Sequence, residues 1–195
     1  MINDKYNVEN HGENNGLIIG KNSGNVYLTI TKVKKIPSLI SNLVMLLGNA
    51  CLEDEYSTSS IDIKDFKPDE KIEYNCVVVY KEIIKEFSTY YSICDNFLNA
   101  FDDSNVNGKS KILRCVHVWY LLAKGQVLKE KPGKSEIEVI RANSDKIIDM
   151  VKERILQVVR DSKETDTTYQ EDLELGIVCF ICYCFMECKI LEKPL

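Results

Sequence analysis

Cys179, Cys182, Cys184 and Cys188 crowd the end of the chain, and four thiols at that density are a candidate metal cluster. A structural thiolate site needs its ligands to converge as a tetrahedron. The surrounding run is apolar with no knuckle glycine between the cysteines, so it reads as helix. At 100° per residue Cys179 and Cys182 lie together, while Cys184 and Cys188 fall on the far side. One helix cannot bring all four to one ion, so they read as buried thiols acting as small apolar side chains. Cys51, Cys76, Cys94 and Cys115 are read the same way, on apolar faces. Of the Gly-Lys pairs in the chain, two invite comparison with a phosphate loop. Gly16-Leu17-Ile18-Ile19-Gly20-Lys21-Asn22 is one residue short between its glycines and ends in Asn where Ser or Thr must hold magnesium. Gly108-Lys109-Ser110 has the right ending, but Asp103 stands where the first glycine belongs and would repel phosphate. The two histidines are His11 and His117. Cys115 and His117, two apart on a helix, face different ways and lack the third orienting group of a nucleophilic site. The acidic pairs Glu53-Asp54-Glu55, Asp102-Asp103 and Glu171-Asp172 come without a partner histidine. No cofactor, metal or catalytic residue is expected from these patterns.

The elements that must position any site are helical over most of the chain. Pro37-Ser38 suits the start of a helix running through Leu39, Leu43, Val44 and Leu47 to about Leu52. Pro68-Asp69 opens the strongest pattern, in which Ile72, Cys76, Val79, Ile83, Phe87, Tyr90, Cys94, Phe97 and Phe101 recur every three or four residues. That predicts a single helix of some thirty residues. Asp102 to Gly108 is a stop and turn. A third helix is expected from Lys109 to about Leu128, and Lys131-Pro132-Gly133-Lys134 ends it. Ser135 with Glu138 reads as a capping box opening a fourth helix that ends near Arg160. A last helix is expected from about Tyr169 to Glu192, apolar nearly all round and therefore central. Asn75, a weak helix former inside a strong helix, either bonds another element or faces water.

Ahead of this body, Gly-x-Asn-x-Gly occurs twice, as Gly12-Glu13-Asn14-Asn15-Gly16 and Gly20-Lys21-Asn22-Ser23-Gly24. Glycine and asparagine tolerate positive φ, so each unit reads as a turn between short β-prone runs. Val8, Leu17, Ile19, Val26, Leu28 and Ile30 supply the apolar positions, with Gly12, Asn14, Gly16, Gly20, Asn22 and Gly24 at the turns. Two or three such rungs cannot bury a core alone, so pairing with copies of the chain or with a partner is expected. The expected fold is mainly α, a bundle of about five helices over 32–195 preceded by a short β arm over 1–31.

The 195 residues are 45% apolar and 28% charged, the balance of a soluble globular protein. Net charge is −5. Residues 1–36 carry five lysines against three carboxylates, a balance of +2 that leaves −7 for the rest. Without a basic block, nucleic-acid binding is not expected. No signal peptide is visible, and Leu175 to Met186 is about half a bilayer crossing, so no membrane association is expected. Eight cysteines without an export signal fit reduced thiols in a cytoplasm.

Several segments together carry a resemblance. They are Phe66-Lys67-Pro68-Asp69-Glu70-Lys71-Ile72-Glu73-Tyr74-Asn75, Tyr80-Lys81-Glu82-Ile83-Ile84-Lys85-Glu86-Phe87, Lys111-Ile112-Leu113-Arg114 with Tyr120, and Cys188-Lys189-Ile190-Leu191-Glu192-Lys193-Pro194. In this order they resemble the C-terminal domain of bacterial ABC-three component systems, which are proposed antiviral conflict systems. The resemblance spans about residues 36–195. It implies an interaction module that couples an effector to its partner components, an ABC-type ATPase among them; either the effector is a separate protein or this chain is a stand-alone sensor or scaffold. Taken with the arm, the expectation is an oligomeric, cytoplasmic adaptor of bacterial defence. Two alternatives stand beside it. One is a small effector enzyme or toxin assembled around Cys115, His117 and the acidic loops. The other is an oligomeric nucleic-acid sensor using the lysines near Lys32 to Lys35.

Overall fold

The apolar spacing of the body is realised as helix, in a computed structural model that describes residues 35–50, 67–163 and 168–194, the side chain of Ser104 excepted. The chain divides into the units Met1–Lys34 and Lys35–Leu195, and every described residue belongs to the second. The arm residues Val8 to Ile30 lie outside the described residues. Eight α-helices are described: α1 (Leu39–Ala50), α2 (Pro68–Tyr74), α3 (Lys81–Phe87), α4 (Tyr91–Ser104), α5 (Gly108–Glu130), α6 (Glu136–Ala142), α7 (Ser144–Arg160) and α8 (Gln170–Met186). A 3-10 turn over Ser88–Tyr90 joins α3 to α4. The extended contacts among the described residues reduce to one parallel bridge between Ile36 and Ser162.

α8 is the centre. Residues 179–186 are buried without interruption, and α1, α3, α4 and α7 pack around them. Each large apolar side chain buried there contributes on the order of 2 kcal/mol. α1 starts where expected, with the Ser38 hydroxyl accepting the Ser41 N–H at 3.2 Å. It crosses α8 almost backbone to backbone. A methyl group on Gly176 would stand 1.9 Å from the Val44 carbonyl oxygen, and one on Gly48 would stand 2.0 Å from that of Asp172. Only glycine fits at either crossing point.

The single long helix expected over 68–101 is instead three segments. Asn75 ends α2, and Cys76 takes the left-handed region at φ 55°. The Cys76 N–H donates to Glu73 O at 3.1 Å and that of Val77 to Ile72 O at 3.0 Å. This is a Schellman stop with cysteine where glycine is usual. Cys76 is accordingly exposed, not on an apolar face. The fourth expected helix is broken too, at Asn143, and the two breaks satisfy each other. Arg141 Nε donates to Tyr74 O at 2.6 Å, and the Ser144 hydroxyl to Cys76 O at 3.2 Å. The Asp145 carboxylate accepts the backbone N–H groups of Val78, Val79 and Tyr80 at 3.1 to 3.3 Å. Ser135 stands at the N-cap of α6, but its side chain makes no capping bond, so the expected capping box is absent.

α8 ends at Met186, short of the expected Glu192, in a second Schellman stop. Cys188 sits at φ 51°, donating its N–H to Phe185 O at 3.2 Å, while Lys189 donates to Cys184 O at 2.9 Å. The chain then turns inward and buries Ile190 and Leu191.

Candidate functional site

Of the residues singled out for chemistry, His11, Gly16 to Asn22, Cys51 and Glu53 to Glu55 lie outside the described residues. Cys179, Cys182 and Cys184 are buried along α8, and Cys188 lies in the turn beyond it. Among the described residues no group of three or more His, Cys, Asp or Glu side chains is placed to hold a metal ion. Lys109, the lysine of Gly108-Lys109-Ser110, has its ammonium 2.7 Å from Asp95 and 2.8 Å from Asn99 Oδ1, so it is committed within the fold. Burial pushes the Cys115 thiol up, against a lesser pull from Arg154, which is the wrong direction for a nucleophile. His117 Nδ1 lies 3.4 Å from the Lys189 carbonyl oxygen on the opposite wall of a small cleft.

Of the segments that carried the resemblance, those holding Lys71 and Asn75, Tyr120, and the tail after Cys188 meet in space. Lys71 is fully buried beneath the end of α8, where its ammonium donates to the carbonyls of Phe185 and, at 2.9 Å, Ile190. It also stands 4.4 Å from the centre of the Phe185 ring. A cation there complements the negative end of α8. Burial nevertheless pushes its pKa down to about 8, with Cys188 and Glu192 pulling the other way. One turn on, Asn75 Nδ2 donates to Glu192 O at 2.8 Å and Asn75 Oδ1 accepts the Glu192 N–H at 3.0 Å, as adjacent residues of a sheet would. From α5, the Tyr120 hydroxyl and Lys124, at 2.7 Å, donate to the Glu192 carboxylate. Burial opposes ionisation of Glu192, but these two bonds outweigh it and hold the carboxyl below its usual range. α2, α5 and the tail after α8 are thus locked by one polar knot.

The surface beside that knot presents apolar side chains along one helix. α5 buries Ile112, Val116, Tyr120, Ala123 and Val127 on its inner face. On its outer face Val118, Leu121 and Leu122 are 47%, 48% and 67% exposed. At 100° per residue Lys111, Arg114, Val118, Leu121, Leu122, Gly125 and Lys129 fall within one stripe of about 120°. A methyl group on Gly125 would meet nothing within 4 Å. No packing within the described domain therefore calls for glycine there, although mid-helix glycine costs about 1 kcal/mol relative to alanine. Along one flank of the stripe runs a cleft of about 290 Å³ lined by Ser110, Leu113, Arg114, His117, Cys188 and Lys189. It contains two cations and no carboxylate. Sequence periodicity passed over this face because the spacing that marks a buried stripe is shared by an exposed one.

Among the described residues, a helical body with an apolar face that no other described element covers is the class that the fold and surface define. Comparison with family models, curated proteins and solved structures finds no match to this chain.

Proposed function

We propose that this chain is an adaptor or scaffold that acts by binding other proteins, in a bacterial antiviral system of the ABC-three component kind. It assembles through the N-terminal arm and docks an effector or ATPase component on the helical domain. The observation that carries the reading is the uncovered stripe of α5. Three large aliphatic side chains stand in line on a helix whose opposite face is already fully used in the core. Surface apolar residues scattered singly are ordinary, whereas a contiguous set with a polar rim marks an interaction site. The polar knot supports the same reading, because it makes the tail and α5 a firm platform.

Light scattering on the full-length chain and on residues 32–195 tests the assembly half of this proposal. An oligomer that falls to a monomer on truncation is expected, and a truncated chain that keeps its native mass would refute the role of the arm. Co-expression with the ABC-type ATPase component tests the docking half. Leu122→Asp should abolish co-purification while leaving the thermal melt unchanged, and retention of the complex by this variant would refute docking on α5.

A further inference from the structure

The ends of the α5 stripe narrow what it can receive. Lys111 and Arg114 flank the aliphatic residues on one side and Lys129 on the other, and Lys189 lines the cleft together with Arg114. None of these four cations has a carboxylate partner among the described residues, whereas Lys85, Lys109, Lys124 and Lys146 are all paired. Glu130, the acidic residue nearest the far end, is held by Lys146 at 2.7 Å. The surface is cationic within a body whose balance beyond residue 36 is −7.

Resting on the reading of α5 as a docking face, we propose that its occupant is an amphipathic helix of a different protein, laid along Val118, Leu121 and Leu122 with carboxylates at its ends. One of those carboxylates seats in the cleft of Arg114, His117 and Lys189. The length fits, since Lys111 to Lys129 spans about five turns or roughly 27 Å, the usual scale of helix-in-groove recognition. Gly125 lets a second backbone approach where any side chain would hold it away. A second copy of this chain does not fit. Antiparallel pairing of two α5 helices about Leu121 and Leu122 sets Arg114 against Lys129, parallel pairing sets each cation against itself, and like charges in contact are repulsive. A nucleic-acid strand fits poorly as well, because four cations around an aliphatic strip neutralise few phosphates and offer no aromatic platform.

The test uses the full chain and two fluorescent synthetic helices of about five turns. Both carry leucines at every third and fourth position; one has glutamates at its ends and the other lysines. Anisotropy titration at low salt should show the glutamate helix binding at least about tenfold more tightly. The double variant Arg114→Glu/Lys189→Glu should reverse that preference, with its thermal melt confirming that it folds. Gly125→Ala should weaken binding although it stabilises the fold, so misfolding cannot account for the loss. Equal affinity for the two helices, or a preference unmoved by the charge reversal, overturns the acidic occupant while leaving α5 as a docking face. Binding of neither helix by the unmodified chain overturns both readings. Displacement of the glutamate helix by a short single-stranded oligonucleotide, with steep salt dependence, assigns the face to nucleic acid and also overturns the proposal.

Discussion

At the scale of single residues, identical substitutions have opposite consequences here because burial, and not residue type, decides them. Gly176→Ala drives a methyl group to 1.9 Å from the Val44 carbonyl oxygen, between two backbones that cannot both yield. It should cost about 3 kcal/mol or more in a urea melt. Gly125→Ala meets open space on the outer face of α5. It should stabilise the chain by about 1 kcal/mol in the same measurement, through the higher helix propensity of alanine. Cys76 shows a third case. It occupies a left-handed position at φ 55°, where a Cβ is unfavourable, and it is exposed. Cys76→Gly should therefore gain roughly 1 kcal/mol. None of these signs follows from the one-dimensional pattern, in which Gly125 and Gly176 are both interruptions of a helix and Cys76 is one more apolar residue.

At the scale of elements, the helix count rose because the breaks have their partners far along the chain. The stripe from Ile72 to Phe101 keeps its period straight through residues 75–80, and periodicity alone reads it as continuous. What breaks it is Asn75, whose amide is claimed by Glu192, together with Arg141, Ser144 and Asp145, which collect the backbone groups that the break exposes. Asn75→Ala should leave the part-buried backbone groups of Glu192 without these partners, at a local cost of about 1 kcal/mol. Hydrogen exchange should then show faster exchange over residues 187–194, with α8 still protected; unchanged exchange there would mean that Lys71, Tyr120 and Lys124 hold the tail without the asparagine. The asparagine was recognisable in the sequence as a misfit inside a helix. Which element it bonds was not, because its partner lies 117 positions away.

At the scale of the whole molecule, the buried knot makes stability depend on pH outside the usual acid range. Lys71 titrates near 8 in the folded chain against 10.5 when exposed. Between those values the unfolded chain holds a proton that the folded one has released, so stability rises with pH, by up to about 3 kcal/mol. Above about pH 9.5 the trend reverses, because the hydroxyls of Tyr80, Tyr91, Tyr120 and Tyr183, held by carboxylates in the fold, resist the ionisation that unfolding would allow, and four such groups outweigh one lysine. Urea melts from pH 7 to 11 should therefore show a maximum at about pH 9 to 9.5, and Lys71→Met should remove the rising limb without touching the falling one.

The sequence by itself determined that the described body is helical, where α1 and α5 begin, that a Pro-Gly turn follows α5, and that α8 is central. These are local or periodic properties, written in caps, turn residues and the spacing of apolar side chains. Only the tertiary structure decided that Gly48 and Gly176 form a crossing, that two helices break against each other, and that a lysine and an asparagine of α2 anchor the tail after α8. It also decided which face of α5 is left uncovered. Apolar spacing reports that a face avoids water, and whether its own chain or another protein covers it depends on where every other element comes to rest.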